Sequence, residues 1–175
     1  MRQAVYLIFW EDINMEKAEL SYDNFLLDVP PTQRPFVDPI NELLLENGCT
    51  VKLQMAKNGY VVSYTHKKSK RVIANFIFRK QGLLIRIYGD QSGKYLSFLD
   101  QLPDAMKAEM ETAAICRRLH DPTKCNARCP LGNVFTLNGM EHKKCRYDSF
   151  VFFVDGETTP HLLAFLEKEL EGRTA

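Results

Sequence analysis

The chain has almost no net charge, no long hydrophobic run and no low-complexity tract. Its 175 residues carry 23 basic and 22 acidic side chains, a formal charge of +1, which excludes a uniformly basic protein. A hydrophobic content of 45% with 26% charged residues excludes a disordered chain, a collagen-like chain and a disulfide miniprotein. Ala4 to Trp10 is an apolar run of seven, followed at once by Glu11 and Asp12. A membrane span needs about 20 such residues, and no small-residue cleavage region follows the run. The reading is therefore a cytoplasmic protein with no membrane association. Catalytic and nucleotide signatures are missing too. There is no Gly-x-Ser-x-Gly, no His-Glu-x-x-His, no phosphate-binding glycine loop and no dinucleotide fingerprint. Internal repeats are also absent.

What is present is segregated charge. Residues 1–50 sum to −6, 51–90 to +8, 91–116 to −2, 117–146 to +5 and 147–175 to −4. Two basic stretches thus alternate with acidic ones, and folding either joins or disperses them. Lys67, Lys68, Lys70 and Arg71 surround one turn, and Arg79 with Lys80 marks the next. Arg128, Lys143 and Lys144 belong to the second stretch. These residues suit contacts to an anionic partner, either nucleic acid or an acidic protein. A solvated hairpin tip is the plainer account of the first cluster, and acidic neighbours can cancel both.

The hydrophobic pattern predicts an α+β domain over residues 31–175, preceded by an N-terminal extension, 1–30. Within the extension, Ala4–Trp10 reads as an edge strand or a short buried segment. If translation starts at Met15, residues 1–14 carry no function. Asp28 to Pro39 holds four of the eight prolines and reads as an extended connector. A helix then begins with Asp38 as its cap and Pro39 in its first turn, and ends at Gly48. Strand-like segments follow at 50–56, 59–66, 71–79 and 82–88. Their short connections demand antiparallel neighbours, so they form a meander. Two helical patterns come next. Ser92 caps the first, with Tyr95, Leu96, Phe98, Leu99 and Leu102 as its stripe, and Pro103 opens the second, which runs to about Cys116. Asn138-Gly139 marks a hairpin, residues 149–154 a strand, and Thr159-Pro160 the last helix. Strands and helices cluster rather than alternate, hence α+β.

Four of the five cysteines fall in the loop region 116–145: Cys116, Cys125, Cys129 and Cys145. Four thiolates are a preferred tetrahedral set for structural zinc. The segment around Cys125 and Cys129 has little apolar content, so a metal can supply its order. His120 and His142 are substitute ligands. Lys124, Arg128, Lys143, Lys144 and Arg146 place positive charge beside the thiols, which favours metallation or reactivity. Small buried thiols with no such role are the plain alternative. A thiol enzyme or redox sensor built on Cys125 and Cys129 is a rival reading that requires a neighbouring base. Cys49, at a helix end, reads as core.

Arg86 stands inside an apolar strand, where a charge is usually paired or near an exposed sheet face. With Asn75, Ser63 and Gln54 it shares a polar face of the meander. An ion pair with an acidic segment is the favoured account, and a small anionic-ligand site the alternative.

The stretch from Gly59 to Cys116 includes Gly82-Leu83-Leu84-Ile85-Arg86-Ile87-Tyr88, then a helix and Leu102-Pro103-Asp104. It resembles small bacterial domains of unknown function, loosely the YdhG-like and TfoX N-terminal-like α+β domains. The likeness continues through Phe150 to Leu170, and the cysteine region departs from it. The resemblance implies an α+β fold and a bacterial cytoplasmic setting, and it assigns no catalytic residue. A binding module rather than an enzyme is the resulting expectation.

Overall fold

The computed structural model describes residues 20–90, 92–129, 132–146 and 150–174. Ala4–Trp10 and Met15 lie outside them. The chain is α+β, with a sheet of five antiparallel strands in the order β1-β2-β3-β4-β7. These are β1 (Cys49–Ala56), β2 (Gly59–His66), β3 (Arg71–Arg79), β4 (Gly82–Ile87) and β7 (Phe150–Phe153). The first four form the expected meander, because each connection is too short for a crossover. β5 (Asn133–Leu137) and β6 (Met140–Lys144) make a separate two-stranded sheet. Asn138 and Gly139 join them at φ 51° and 76°. Both angles are positive, as a type I′ turn requires.

Strand register places Leu53, Val62, Phe76, Ile85 and Phe152 in one row across the main sheet. That row faces the core. The pairing of β2 with β3 shifts between Tyr64 and Thr65, leaving Ile73 as the extra residue of a bulge. A bulge turns its residue off the strict alternation, and so both Ile73 and Ala74 are buried.

The helices bury their apolar stripes against the same face. They are α1 (Tyr22–Asp28), α2 (Val37–Glu46), α3 (Leu96–Asp100), α4 (Asp104–Thr112), α5 (Arg117–His120) and α6 (Thr159–Thr174). Phe25, Ile40, Leu44, Leu99, Met106, Met110, Leu162, Phe165, Leu166 and Leu170 all enter one cluster. α5 is a single turn with no buried residue. No helix among the described residues is long and apolar enough to cross a membrane.

Several local expectations are corrected. The packed structure begins before residue 31, since Phe25 and Val29 are buried. Asp28–Pro39 is not extended: Gln33 and Arg34 donate back to the Pro30 carbonyl, and a 3-10 turn runs directly into α2. Asp38 lies inside the first turn of α2 instead of capping it, and accepts a 3.0 Å bond from the Tyr22 hydroxyl. Ser92 is buried in a 3-10 turn ahead of α3, whose N-cap is Tyr95. α4 ends at Thr112, so Cys116 caps the start of α5 and does not end a long helix.

Gln33 connects the layers. Its Nε2 donates to the carbonyls of Leu83 (2.9 Å) and Val154 (2.7 Å), and its Oε1 accepts from Leu83 N–H at 2.8 Å. One buried amide therefore serves backbone groups at the start of β4 and just beyond β7, adding to the bond from Val154 N–H to the Leu83 carbonyl at 3.3 Å. Gly82 makes this approach possible, because a Cβ there would lie 2.5 Å from Gln33 Oε1, at a φ of +126°.

Candidate functional site

The end of the sheet that carries the β2–β3 turn holds a buried cluster of arginines and carboxylates. Asp90 follows β4 directly. Arg173 Nη1 lies 2.9 Å from its Oδ2, Arg146 Nε 2.7 Å from its Oδ1 and Arg71 Nη1 3.4 Å from its Oδ2. Glu169, fully buried in α6, pairs with Arg173 Nη2 at 3.3 Å, accepts from Asp90 N–H at 2.9 Å and takes the Tyr95 hydroxyl bond. Arg173 Nη2 also donates to the Tyr88 carbonyl at 3.1 Å. Burial, reinforced by the Glu169 charge, pushes the Tyr95 phenol far up, so it stays a hydrogen-bond donor. Buried charges persist when each is paired and hydrogen-bonded, and Asp90 and Glu169 supply that pairing for Arg173. Gly89 permits the packing, since a Cβ there would meet Ser92 Oγ at 2.7 Å and the Phe150 ring at 2.8 Å.

Sequence reading does not single out Asp90, Glu169 or Arg173. Asp90 is the lone acid of a strongly basic stretch, and that is the available signal. Glu169 sits among Glu167, Lys168 and Glu171 and looks like any surface helix residue.

Arg146 leads from this cluster to the cysteines. Ile115 bridges Lys144, Cys116 N–H donates to the Lys143 carbonyl at 2.8 Å, and Cys145 N–H to the Ala114 carbonyl at 2.7 Å. In such an antiparallel pairing, Cys116 and Cys145 project from the same side as diagonal neighbours. The loop bearing Cys125 and Cys129 lies against that side. Arg118 holds it by donating to the Cys129 carbonyl, and Asn126 Oδ1 accepts from Arg128 N–H at 2.9 Å. The four expected cysteines line one cleft of about 460 Å³, together with Ala114, Ile115, Arg117, Asn126 and Arg128. Cys116 is buried, Cys125 exposed, and Cys129 and Cys145 are intermediate; all are free thiols. The Cys116 side is tightly closed, as a Cβ on Gly132 would lie 2.7 Å from its Sγ.

The donor chemistry suits zinc, but the placement is open. Among the described residues, no three histidines, cysteines or acids stand together as a ready metal site. The described lining includes no histidine and no carboxylate, so Cys125 and Cys129 have no adjacent base there. His120 instead lines neighbouring depressions with Asp121 and Lys124, and with Glu141 and His142. Cys49 is core, and burial raises its thiol to about 11.

The expected basic residues divide into two groups. Lys67, Lys68 and Lys70 are exposed at the β2–β3 turn, beside Arg71 and the Asp90 cluster. Lys70 takes a φ of 56° and donates its N–H to the His66 carbonyl. His66 itself is buried, with Nδ1 3.0 Å from Ser69 Oγ. Burial, with Arg173 and Lys68 adding to it, holds its imidazole below the ordinary 6.5. Arg79 sits at the β3–β4 turn, where Nη1 donates to its neighbour's carbonyl. β3 has nine residues, about 30 Å at strand rise, so Arg79 and Lys80 cannot extend the first cluster. Arg128 is exposed on the cleft, and Lys143 pairs with Glu141 at 3.2 Å. Lys144 is buried and donates to the carbonyls of Glu111 and Ala113. It closes the end of α4 and does not face a partner.

Arg86 lies opposite Asn75 and Val151, in a row with Ser63 and Lys52. Gln54 is on the same face, one row away beside Val61. The expected ion pair between Arg86 and an acidic segment does not form among the described residues. Asn75 donates instead to the Tyr88 hydroxyl at 3.4 Å.

No family model, no curated protein and no solved structure matches the chain.

Proposed function

We propose that the protein is a binding module, not an enzyme, and that it takes an anionic partner on the surface running from the β2–β3 turn to the cysteine cleft. One observation carries this reading: Arg71 and Arg146, from the two basic stretches, converge on Asp90. The proposed surface takes in Lys67, Lys68 and Lys70, next to Arg71 in the chain, and Arg117 and Arg128 on the cleft that Cys145, next to Arg146, also lines. Asp90 absorbs charge within the cluster, while the exposed lysines remain for phosphate or carboxylate groups. The protein works in a reducing, cytoplasmic setting that keeps its cysteines as thiols.

Structural zinc on Cys116, Cys125, Cys129 and Cys145 completes the proposal. Cys116, Cys125, Cys129 and Cys145 would hold the ion as thiolates, and its binding would supply order to a loop that is mostly exposed.

The test is fluorescence anisotropy of zinc-loaded protein with a labelled oligonucleotide, and in parallel with labelled polyglutamate. Binding to one of them that weakens steeply with added salt is the expected outcome. Absence of binding to both at low salt overturns the reading. Native mass spectrometry checks the metal separately: one zinc per chain is expected, lost in Cys125→Ser/Cys129→Ser. A folded, stable chain that takes up no zinc removes that part.

A further inference from the structure

β1 is one edge of the main sheet, and among the described residues no strand pairs with its outer side. Sheet edges are usually blunted by shortness, proline, bulges or charge. β7, the other edge, has only four residues. β1 has eight, with no proline or glycine and one charged residue, Lys52, and its register with β2 runs unbroken from Cys49 to Ala56. One bond fixes where its backbone groups point. The Gly48 carbonyl accepts from Lys67 N–H at 3.1 Å, and antiparallel ladders alternate from there. Thr50, Lys52, Gln54 and Ala56 therefore bond to β2, while Val51, Leu53 and Met55 direct their N–H and C=O groups outward. The side chains of these three lie on the core-facing side of the sheet but are incompletely covered. Leu53 is half-buried, Val51 is 38% exposed and Met55 55%.

We propose that β1 is an interface between two copies of this chain, paired antiparallel about a twofold axis at Leu53. Outward-facing backbone groups must meet their like, so odd-numbered positions pair with odd-numbered ones. Charge then selects the register. An axis at Lys52 sets two ammonium groups directly opposite, which is destabilising. Axes nearer either end leave Val51 or Met55 facing residues outside the strand. With the axis at Leu53, that residue meets its own copy and Val51 meets the partner's Met55, so the apolar strip continues across the junction. On the other face, Lys52 meets the partner's Gln54, whose amide oxygen accepts from the ammonium group. The three odd pairs are the hydrogen-bonded ones and contribute about six backbone bonds, two per pair. An edge that matches itself in shape, hydrogen bonding and charge is what an isologous contact requires, and this makes the occupant a second copy.

The test is sedimentation equilibrium of the full chain over a concentration series, in reducing buffer so that no disulfide joins the copies. The unmodified protein is expected to dimerise. Val51→Lys/Met55→Lys sets like charges opposite each other in both outer pairs and is expected to give a monomer. Val51→Lys/Met55→Glu sets opposite charges in those same pairs and is expected to restore the dimer. Far-ultraviolet circular dichroism checks that each variant is folded. Should the two lysines unfold the chain, Met55→Lys alone, at the more exposed position, is expected to weaken the dimer several-fold. An unmodified chain that stays monomeric throughout the series overturns the proposal. A dimer indifferent to the lysine substitutions in folded protein overturns it by placing the contact elsewhere. A charge swap that leaves the folded protein monomeric overturns the pairing of Val51 with the partner's Met55, and with it the axis at Leu53.

Discussion

Arg71 and Arg146 hold the same carboxylate. One reaches Asp90 Oδ2 at 3.4 Å and the other Oδ1 at 2.7 Å. A hairpin and the segment after β6 are thereby tied to the loop after β4, while Arg173 brings in the last helix at 2.9 Å.

Removing that carboxylate takes from the largely buried Arg146 the acid it pairs with, and leaves the buried Arg173 with Glu169 alone. Asp90→Asn is expected to destabilise the protein by about 3–5 kcal/mol, the usual cost of breaking a buried pair from one side. Arg71→Ala is expected to cost about 1 kcal/mol or less, because Arg71 is 42% exposed and its pair is screened. Urea unfolding of both variants measures the difference, and equal effects would contradict this account of the cluster.

The Gln33 amide is the second sensitive point. Gln33→Leu keeps the volume but strands Leu83 N–H and the Val154 carbonyl, while the Leu83 carbonyl keeps its bond from Val154 N–H; a loss of about 2–4 kcal/mol is expected from two groups costing about 1–3 kcal/mol each. Gly82→Ala is expected to destabilise as well, through its positive φ and the clash with Gln33 Oε1. Thermal unfolding tests both. A Gly82→Ala protein as stable as the parent would mean that the amide can move aside without loss.

His66 makes stability depend on pH. Its folded pKa lies below the unfolded value of 6.5, so the unfolded chain takes the proton first as pH falls. Its contribution is full above about 6.5 and is lost as pH drops through the lowered folded value. His66→Asn keeps an acceptor for Ser69 without the titration. Between pH 7 and 5 the unfolding free energy of this variant is expected to fall less than that of the parent.

Charge reversal separates the two ends of the sheet. Lys67→Glu/Lys68→Glu/Lys70→Glu is expected to weaken anion binding strongly and flatten its salt dependence. Arg79→Glu/Lys80→Glu, at the far end, is expected to leave binding nearly unchanged. Both sets are surface changes and should shift stability by roughly 0.5 kcal/mol or less per residue. Anisotropy titrations give the comparison, and equal losses would mean that binding follows net charge and not this surface.

Much of the fold is legible because its causes are local. Alternation in Val51-Lys52-Leu53-Gln54-Met55, short turns such as Lys80-Gln81, and Asn138-Gly139 at positive φ each act within a few residues. Together they determine the strands, the meander and the hairpin. The cysteine spacing likewise marks four thiols that the structure sets on one cleft. Other features depend on contacts with no period in the chain. The bulge at Ile73, the role of Gln33, the burial of Lys144 and the joining of Asp90, Arg146, Glu169 and Arg173 were decided only by tertiary structure. A hydrophobic stripe advertises its face through repetition, but a buried ion pair needs just one residue from each of two distant segments. That physical difference lets sequence alone establish an α+β domain with two basic stretches, and leaves to the fold which arginines are spent on Asp90 and which lysines face outward.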